Sequence, residues 1–246
     1  MTFVRVGGFH VRQLSRNAFF LQQAIAAPVG FLLLLFFSSW QAGTPLADDA
    51  WASASVAGSW VTTTTAVGIV GFQRYQGTLE HLALSTLRPG VVFGSLCAAA
   101  ALLGLVGVPV ALALQSVLGH PIESGAQTII GLALSVVACV ASACALASIF
   151  VLTRTATVYE PLLVTPVWLL TGIVVPLTLL PAWVMPIALL HPLTGAVQVL
   201  RAPSLDDAVP WGIASLLAVA VWGAVAARLL AAALHRARVL GTLALA

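Results

Sequence analysis

The sequence predicts an all-α integral membrane protein with six transmembrane helices and both termini in the cytoplasm. The first observation is composition: 61% of the 246 residues are hydrophobic and 7% are charged, against about 25% charged residues in a soluble domain. The second is a series of apolar runs that reach the roughly 20 residues needed to cross a bilayer. The third is an uneven distribution of arginine. We expect residues 1–246 to form a single transmembrane domain.

The predicted spans follow directly from the apolar runs. The first run is not a signal peptide, because a long amphipathic segment precedes it and no small-residue cleavage site follows a short apolar core. The six predicted spans are Leu21–Ser39, Ala52–Phe72, Val91–Leu118, Ala126–Leu152, Pro161–Leu180 and Trp211–Leu234.

Arginine placement predicts the orientation of these spans. All ten basic residues are Arg. With six spans and a cytoplasmic N-terminus, only Arg201 lies outside. Five acids, Asp48, Asp49, Glu123, Asp206 and Asp207, also fall outside. This bias follows the positive-inside rule and predicts the orientation of a multi-pass membrane protein.

A seventh apolar stretch, Ala182–Leu200, is predicted not to cross. A full crossing would move the basic segment His235–Arg238 outside. Proline recurs through this region, and each proline removes a backbone donor and disfavours a helical residue before it. We therefore expect two short helices that form a re-entrant hairpin, residues 181–202, between spans five and six. An outer aromatic belt is expected at Trp40, Trp51, Trp183 and Trp211.

The first twenty residues are predicted to form an amphipathic helix in the cytoplasmic headgroup plane. Arg5, Arg12 and Arg16 fall within about 40° of one another on a helical wheel. Phe3 and Leu14 fall on the opposite side. The alternative is a disordered basic tail.

One cytoplasmic loop, residues 73–89, is predicted to contain a short helix. Gly77 permits a tight turn, Thr78 is a candidate N-cap, and Glu80 would lie in the first turn, where the helix dipole favours an acid. Pro89 would end the loop. The helix either meets a partner protein or rests unpartnered at the interface.

Motifs for catalysis and metal binding are nearly absent from the sequence. It contains no H-E-x-x-H, G-K-[ST] or G-x-S-x-G motif, and its five His are scattered. Ser124-Gly125 lacks the glycine expected two residues before a nucleophilic serine. Cys97, Cys139 and Cys144 lie in apolar runs, which favours helix packing over disulfides. We predict no catalytic, cofactor or metal site in this chain.

A few polar residues within or beside the spans have two interpretations each. The hydroxyls of Thr62–Thr65 bond either to the preceding turn of their own helix or across an interface with a neighbouring helix. The Trp168 N–H would need a partner in mid-membrane. Glu160 is predicted to be the N-cap of span five with Pro161 at its first helical position; its alternative role is in an inner gate.

Two motifs resemble those of ABC-2 type transporter permeases. Arg74 followed by Gly77-Thr78-Leu79-Glu80-x-Leu82, then Ser85-Thr86-x-x-Pro89, is similar to that family's cytoplasmic loop. The segment from Gly172 to Arg201 is similar to the family's sequence after span five. This chain departs from the pattern at His191, where Asn is usual, and at Pro89, which is displaced by two residues.

The resemblance implies a half-transporter that is not itself an enzyme, because the family's ATP and Mg²⁺ are bound by two separate ATPase subunits. A second permease copy or a paralogue completes the transporter. The N-terminal helix resembles the family's connecting helix. The implied site residues are, for ATPase coupling, Arg74, Gly77, Thr78, Leu79, Glu80 and Leu82; for the path or gate, Thr62, Thr65, Glu160 and Trp168; and for the outer hairpin, Pro176, Pro181, Trp183 and Pro192.

The function implied is export of a lipophilic or amphipathic compound such as a drug or antibiotic, which would confer resistance by efflux. Glycolipid, polysaccharide or peptide export is the alternative within the family. A secondary transporter is the main alternative from another class, but it should hold ionisable groups near mid-bilayer. An intramembrane protease would depend on Ser124.

Overall fold

A computed structural model describes residues 2–75, 87–152 and 156–239 of the chain, and this part contains helices and no strand. The described helices are α1 (Thr2–Ser15), α2 (Ala18–Ala42), α3 (Ala50–Tyr75), α4 (Pro89–Gly104), α5 (Gly107–Val117), α6 (Ala126–Leu152), α7 (Ala156–Leu170), α8 (Met185–Leu190), α9 (Pro192–Leu200) and α10 (Leu205–Val239).

Four segments of the described chain are long and apolar enough to cross a membrane: Ala18–Ala42, Gly90–Val117, Ala126–Val151 and Leu205–Arg236. They confirm the helical membrane fold. The count of six, the orientation of the termini and the re-entry of the hairpin stay predictions. α3 has the length but carries many Ser and Thr residues, and α7 has only 15 residues.

α3 lies in the middle of the helical bundle. It packs against α2, α4, α5, α6 and α7. Between Ala50 and Gly68 every residue is buried except Val61 and Thr65, which are half-buried. Pro28 of α2 fits against Gly58 of α3, where a Cβ would lie 2.6 Å from the proline Cδ. The helix with the most hydroxyl groups is therefore the one that its neighbours enclose.

The predicted third span, Val91–Leu118, is two helices in the structure. α4 ends at Gly104 and α5 begins at Gly107. Pro109 explains the break, because it cannot donate a hydrogen bond to the carbonyl of Leu105 and its ring crowds that carbonyl.

The predicted start of span five is wrong. α7 already begins at Ala156 and contains Pro161 and Pro166 in its interior. Glu160 is therefore a residue of the second helical turn and not an N-cap. Proline removes one intrahelical hydrogen bond, and membrane helices accommodate that loss where neighbouring groups satisfy the freed carbonyl. α7 ends at Leu170, and Gly172 follows with a left-handed φ of 86°.

The N-terminal segment is helical, as predicted. Its buried residue is Leu14, while Arg5, Arg12 and Arg16 are exposed. Asn17 separates α1 from α2, and its side chain accepts a hydrogen bond of 3.0 Å from the Phe19 amide. The position of α1 in the headgroup plane stays a prediction.

Candidate functional site

The chain between α7 and α10 forms a hairpin that returns to its starting point. It leaves α7 at Gly172, passes through a 3₁₀ turn at Leu177–Leu179 and α8, and reverses at His191. α9 then leads back to Arg201. The two short helices predicted within Ala182–Leu200 are therefore confirmed. We call His191 the tip of the hairpin and Arg201 its base.

Arg201 joins the two ends of the hairpin. Its Nη1 donates to the carbonyl of Gly172, and its Nη2 donates to the carbonyl of Ile173 at 2.9 Å. Nη2 also lies 3.2 Å from the Ser53 hydroxyl on α3. Burial lowers the pKa of Arg201 below its usual value, and the nearby Asp49 carboxylate offsets part of that shift. The guanidinium stays charged because its ordinary pKa is far above neutrality.

His191 contacts three long helices at the tip. Its Nδ1 accepts a hydrogen bond of 3.3 Å from the Leu193 amide, which caps α9. Its Nε2 lies 3.4 Å from the Ser142 hydroxyl on α6. Trp60 of α3 and Trp222 of α10 meet the imidazole edge to face, with ring centroids 5.5 and 5.3 Å away.

α9 fits closely between α6 and α10. A Cβ at Gly131 of α6 would lie 2.7 Å from the Leu200 backbone, and a Cβ at Gly195 would lie 2.7 Å from the Trp211 carbonyl oxygen. Ser215 of α10 donates a 2.9 Å hydrogen bond to the Pro192 carbonyl. The small residues allow backbones to approach, as is typical of helix contacts in membranes.

The four predicted hairpin residues have different positions. Pro192 is buried at the first turn of α9, where its missing N–H costs no helical bond. Pro176 precedes the 3₁₀ turn, and the Pro181 carbonyl accepts a 2.9 Å bond from the Val184 amide. Trp183 is 74% exposed.

A second polar network lies at the same end of the bundle as Arg201. Gln115 is fully buried, and its Oε1 accepts a 2.8 Å bond from the Trp51 amide. Its Nε2 donates to the carbonyls of Asp48 and Pro121 at 3.1 and 2.7 Å. Trp51 is buried rather than part of an exposed aromatic belt, and its indole N–H meets the Glu123 carbonyl.

Two clefts of about 220 and 260 Å³ open at this end. Both are lined by Asp49 and Arg201. The first also has Asp48 and Glu123, and the second has Ser53. The base of the hairpin is therefore bordered by open clefts on two sides, each of which contains charged side chains.

The threonines of α3 bond mainly to their own helix. Thr62 and Thr63 donate to the carbonyls four residues earlier, at 2.9 and 2.6 Å. Thr64 donates to the Trp60 carbonyl at 2.8 Å. Thr65 is half-buried. This geometry satisfies three of the hydroxyls; a role for Thr62 or Thr65 in a transport path stays a prediction.

Trp168 of α7 is half-buried, and its buried indole N–H has no hydrogen-bond partner among the residues that the structure describes. Its ring meets Phe31 of α2 edge to face, with centroids 5.0 Å apart. By contrast, the indole N–H of Trp60 reaches the Val164 carbonyl at 3.3 Å. Trp168 thus keeps one donor free between α2 and α7.

The predicted ATPase-coupling residues are mostly beyond the described parts of the chain. Gly77, Thr78, Leu79, Glu80 and Leu82 lie outside them. Arg74 lies in the last turn of α3 and Glu160 in α7, but their side chains are not among those described.

Sequence reasoning missed three residues that organise this site. Gln115 is the single amide in the predicted span Val91–Leu118, and Arg201 is the only arginine predicted outside. Both were signals of a buried polar partner. For His191, the signal is that the similar family motif has Asn at this position. Either side chain can cap a helix, so the position itself indicates a helix cap.

Comparison with known proteins identifies a family match. The family model described as ABC-2 type transporter matches residues 7–204, which is well over half of the chain and includes the hairpin. No curated protein and no solved structure matches the chain at a significant level.

Proposed function

Because the chain belongs to the ABC-2 type transporter family, we propose that it is the permease subunit of an ATP-driven exporter in the bacterial plasma membrane. Its substrate is a lipophilic or amphipathic compound of the drug or antibiotic class. Two ATPase subunits hold ATP and Mg²⁺, and a second permease copy or paralogue completes the complex.

The proposed topology has six crossings. Four are the long apolar segments, and the other two are α3 and α7 with the residues that follow it. α1 lies in the cytoplasmic headgroup plane, both termini are cytoplasmic, and the Arg201 end of the bundle faces outward. The hairpin then enters the outer leaflet and returns.

The observation that carries the proposal is the closed hairpin between α7 and α10. Its base is tied by Arg201 to the loop after α7, and α9 is held between α6 and α10. Non-helical backbone at membrane depth is tolerated where protein surrounds it. The returning arm of the hairpin, α9, is surrounded by protein along most of its length. Such a hairpin is suited to close the outer end of a transport path.

Trp168 supports an amphipathic substrate. A free indole N–H within an apolar setting can donate to a carbonyl or hydroxyl, while Trp168 and Phe31 offer aromatic surface to an apolar group. Thr65 and Glu160 are the further candidates for this path. Glu160 would act near its cytoplasmic end.

The test uses the full chain with its cognate ATPase in inverted membrane vesicles and Hoechst 33342 as the transported probe. We expect ATP-dependent accumulation of the dye that persists when ionophores collapse the proton and sodium gradients. Glu80→Lys should abolish it, because the reversed charge lies in the loop proposed to contact the ATPase. Asp206→Lys makes the same change in the first turn of α10 and should retain transport.

The outcomes separate the candidate functions. Loss of dye movement with ionophores would identify an ion-coupled carrier. Wild-type transport by Glu80→Lys would remove the loop from the mechanism. ATP hydrolysis stimulated by a glycolipid and not by the dye would favour the alternative substrate class.

A further inference from the structure

The imidazole of His191 makes four specific contacts although its surroundings are apolar. Nδ1 accepts from the Leu193 amide, so in the neutral ring this nitrogen carries no proton. The proton is then on Nε2, which donates to the Ser142 hydroxyl at 3.4 Å. One tautomer thus satisfies both nitrogens, one within the hairpin and the other on α6.

The two ring contacts fix the plane of the same imidazole. Trp60 stands nearly perpendicular to it at 88°, and Trp222 is inclined at 64°. The Trp222 indole N–H also donates 2.8 Å to the Leu190 carbonyl, the residue before the tip. The tip is therefore held by α3, α6 and α10 together.

We propose that His191 is a positioning residue that seats the tip of the hairpin between α3, α6 and α10, and that this seat sets how readily the hairpin moves during transport. The effect on movement during transport rests on the proposed function. An Asn at this position would keep the cap of α9, since its side chain offers an acceptor, but it would lose Ser142 and both rings.

The position of the seat explains its influence. α9 has nine residues, so the tip lies about 14 Å from the base at the helical rise of 1.5 Å per residue. Arg201 holds the base through carbonyls of the hairpin's own entry and Ser53. At the far end, Ser215 and Trp222 of α10 donate to hairpin carbonyls, and His191 adds contacts to α3 and α6.

Hydrogen exchange of the full chain in lipid nanodiscs tests the seat without any substrate. The readout is the exchange rate of amides in residues 185–200. Ser142→Ala removes only the partner of Nε2, and we expect exchange to rise about fivefold, the factor for one buried hydrogen bond. His191→Ala should raise it further. His191→Asn should protect the Leu193 amide, while the rest of the segment should exchange at least as fast as in Ser142→Ala because both ring contacts are also lost.

Ser135→Ala is the matched control. Ser135 is a buried serine on the same helix whose hydroxyl bonds to the Leu132 carbonyl of its own helix at 2.7 Å. We expect wild-type exchange at residues 185–200. Equal exchange in His191→Ala, Ser142→Ala and Ser135→Ala would overturn the seat.

Transport of Hoechst 33342 with the cognate ATPase then tests the consequence. Ser142→Ala and His191→Asn should change the maximal rate at least about twofold, with the half-saturating dye concentration unchanged, because neither residue contacts substrate. Full wild-type rates in both variants would overturn the link to transport. If the wild type moves no dye, the proposed substrate class fails, while the exchange experiment still decides the seat.

Discussion

At the scale of single residues, Arg201 shows how one half-buried cation organises a loop. Its N–H groups donate to two successive carbonyls and one hydroxyl. A planar guanidinium has donors in the directions that this set of acceptors requires, and an ammonium group does not. Charged hydrogen bonds contribute about 1.5–3 kcal/mol each, and removing one partner leaves buried carbonyls unsatisfied.

Replacing Arg201 should therefore destabilise the hairpin strongly. For Arg201→Lys we expect a loss on the order of 2–4 kcal/mol, since the charge remains but most of the fork is lost. Thermal unfolding of the purified chain measures this. Ser53→Ala removes one of the contacts and should lower the free energy of unfolding by roughly 1 kcal/mol. An equal loss in both variants would contradict the proposed role of the Arg201 hydrogen bonds.

At the scale of elements, the fit of α9 depends on the absence of side chains where backbones meet. Gly195→Ala would place a Cβ 2.7 Å from the Trp211 carbonyl and 2.8 Å from Ser215. We expect a loss of about 1–3 kcal/mol because α9 must shift away from α10. The unfolding temperature is the measurement.

Gly223→Ala in α10 is the comparison, because a Cβ there meets nothing within 4 Å. Its effect should be neutral or stabilising by up to about 1 kcal/mol, the gain in helix propensity. A loss comparable to that of Gly195→Ala would show that α10 responds to any added methyl group.

The elements also show which features sequence patterns can predict. Apolar runs locate α2, α6 and α10, because burial in lipid requires that composition over a whole helix. Pro109 and Pro161 have opposite outcomes: the helix breaks at Leu105–Val106 but continues through Pro161. Local rules treat both prolines alike, so the sequence around each one does not predict which outcome follows. The bonds of Arg201 and His191 join distant segments and have no local signature.

At the scale of the whole molecule, labelling of single cysteines decides the topology. In a chain with Cys97, Cys139 and Cys144 replaced by Ala, we expect Ser124→Cys and Ser204→Cys to react with an impermeant maleimide added to intact cells. Both serines are exposed at the Arg201 end. Val239→Cys, 71% exposed at the end of α10, should react only after the membrane is opened. Reaction of Val239→Cys in intact cells would require an odd number of crossings.

The enclosure of α3 has a consequence for biogenesis. This helix is not among the four strongly apolar segments, and its hydroxyl groups weaken its preference for lipid. Its partners α4, α5 and α6 follow it in the chain, so at the moment of synthesis only α2 is available to shield it. In the proposed topology α3 crosses the membrane, so we expect its stable insertion to depend on the later helices. Mutations in α4 or α6 should then reduce the amount of inserted protein through α3, even where they leave the assembled transporter unchanged.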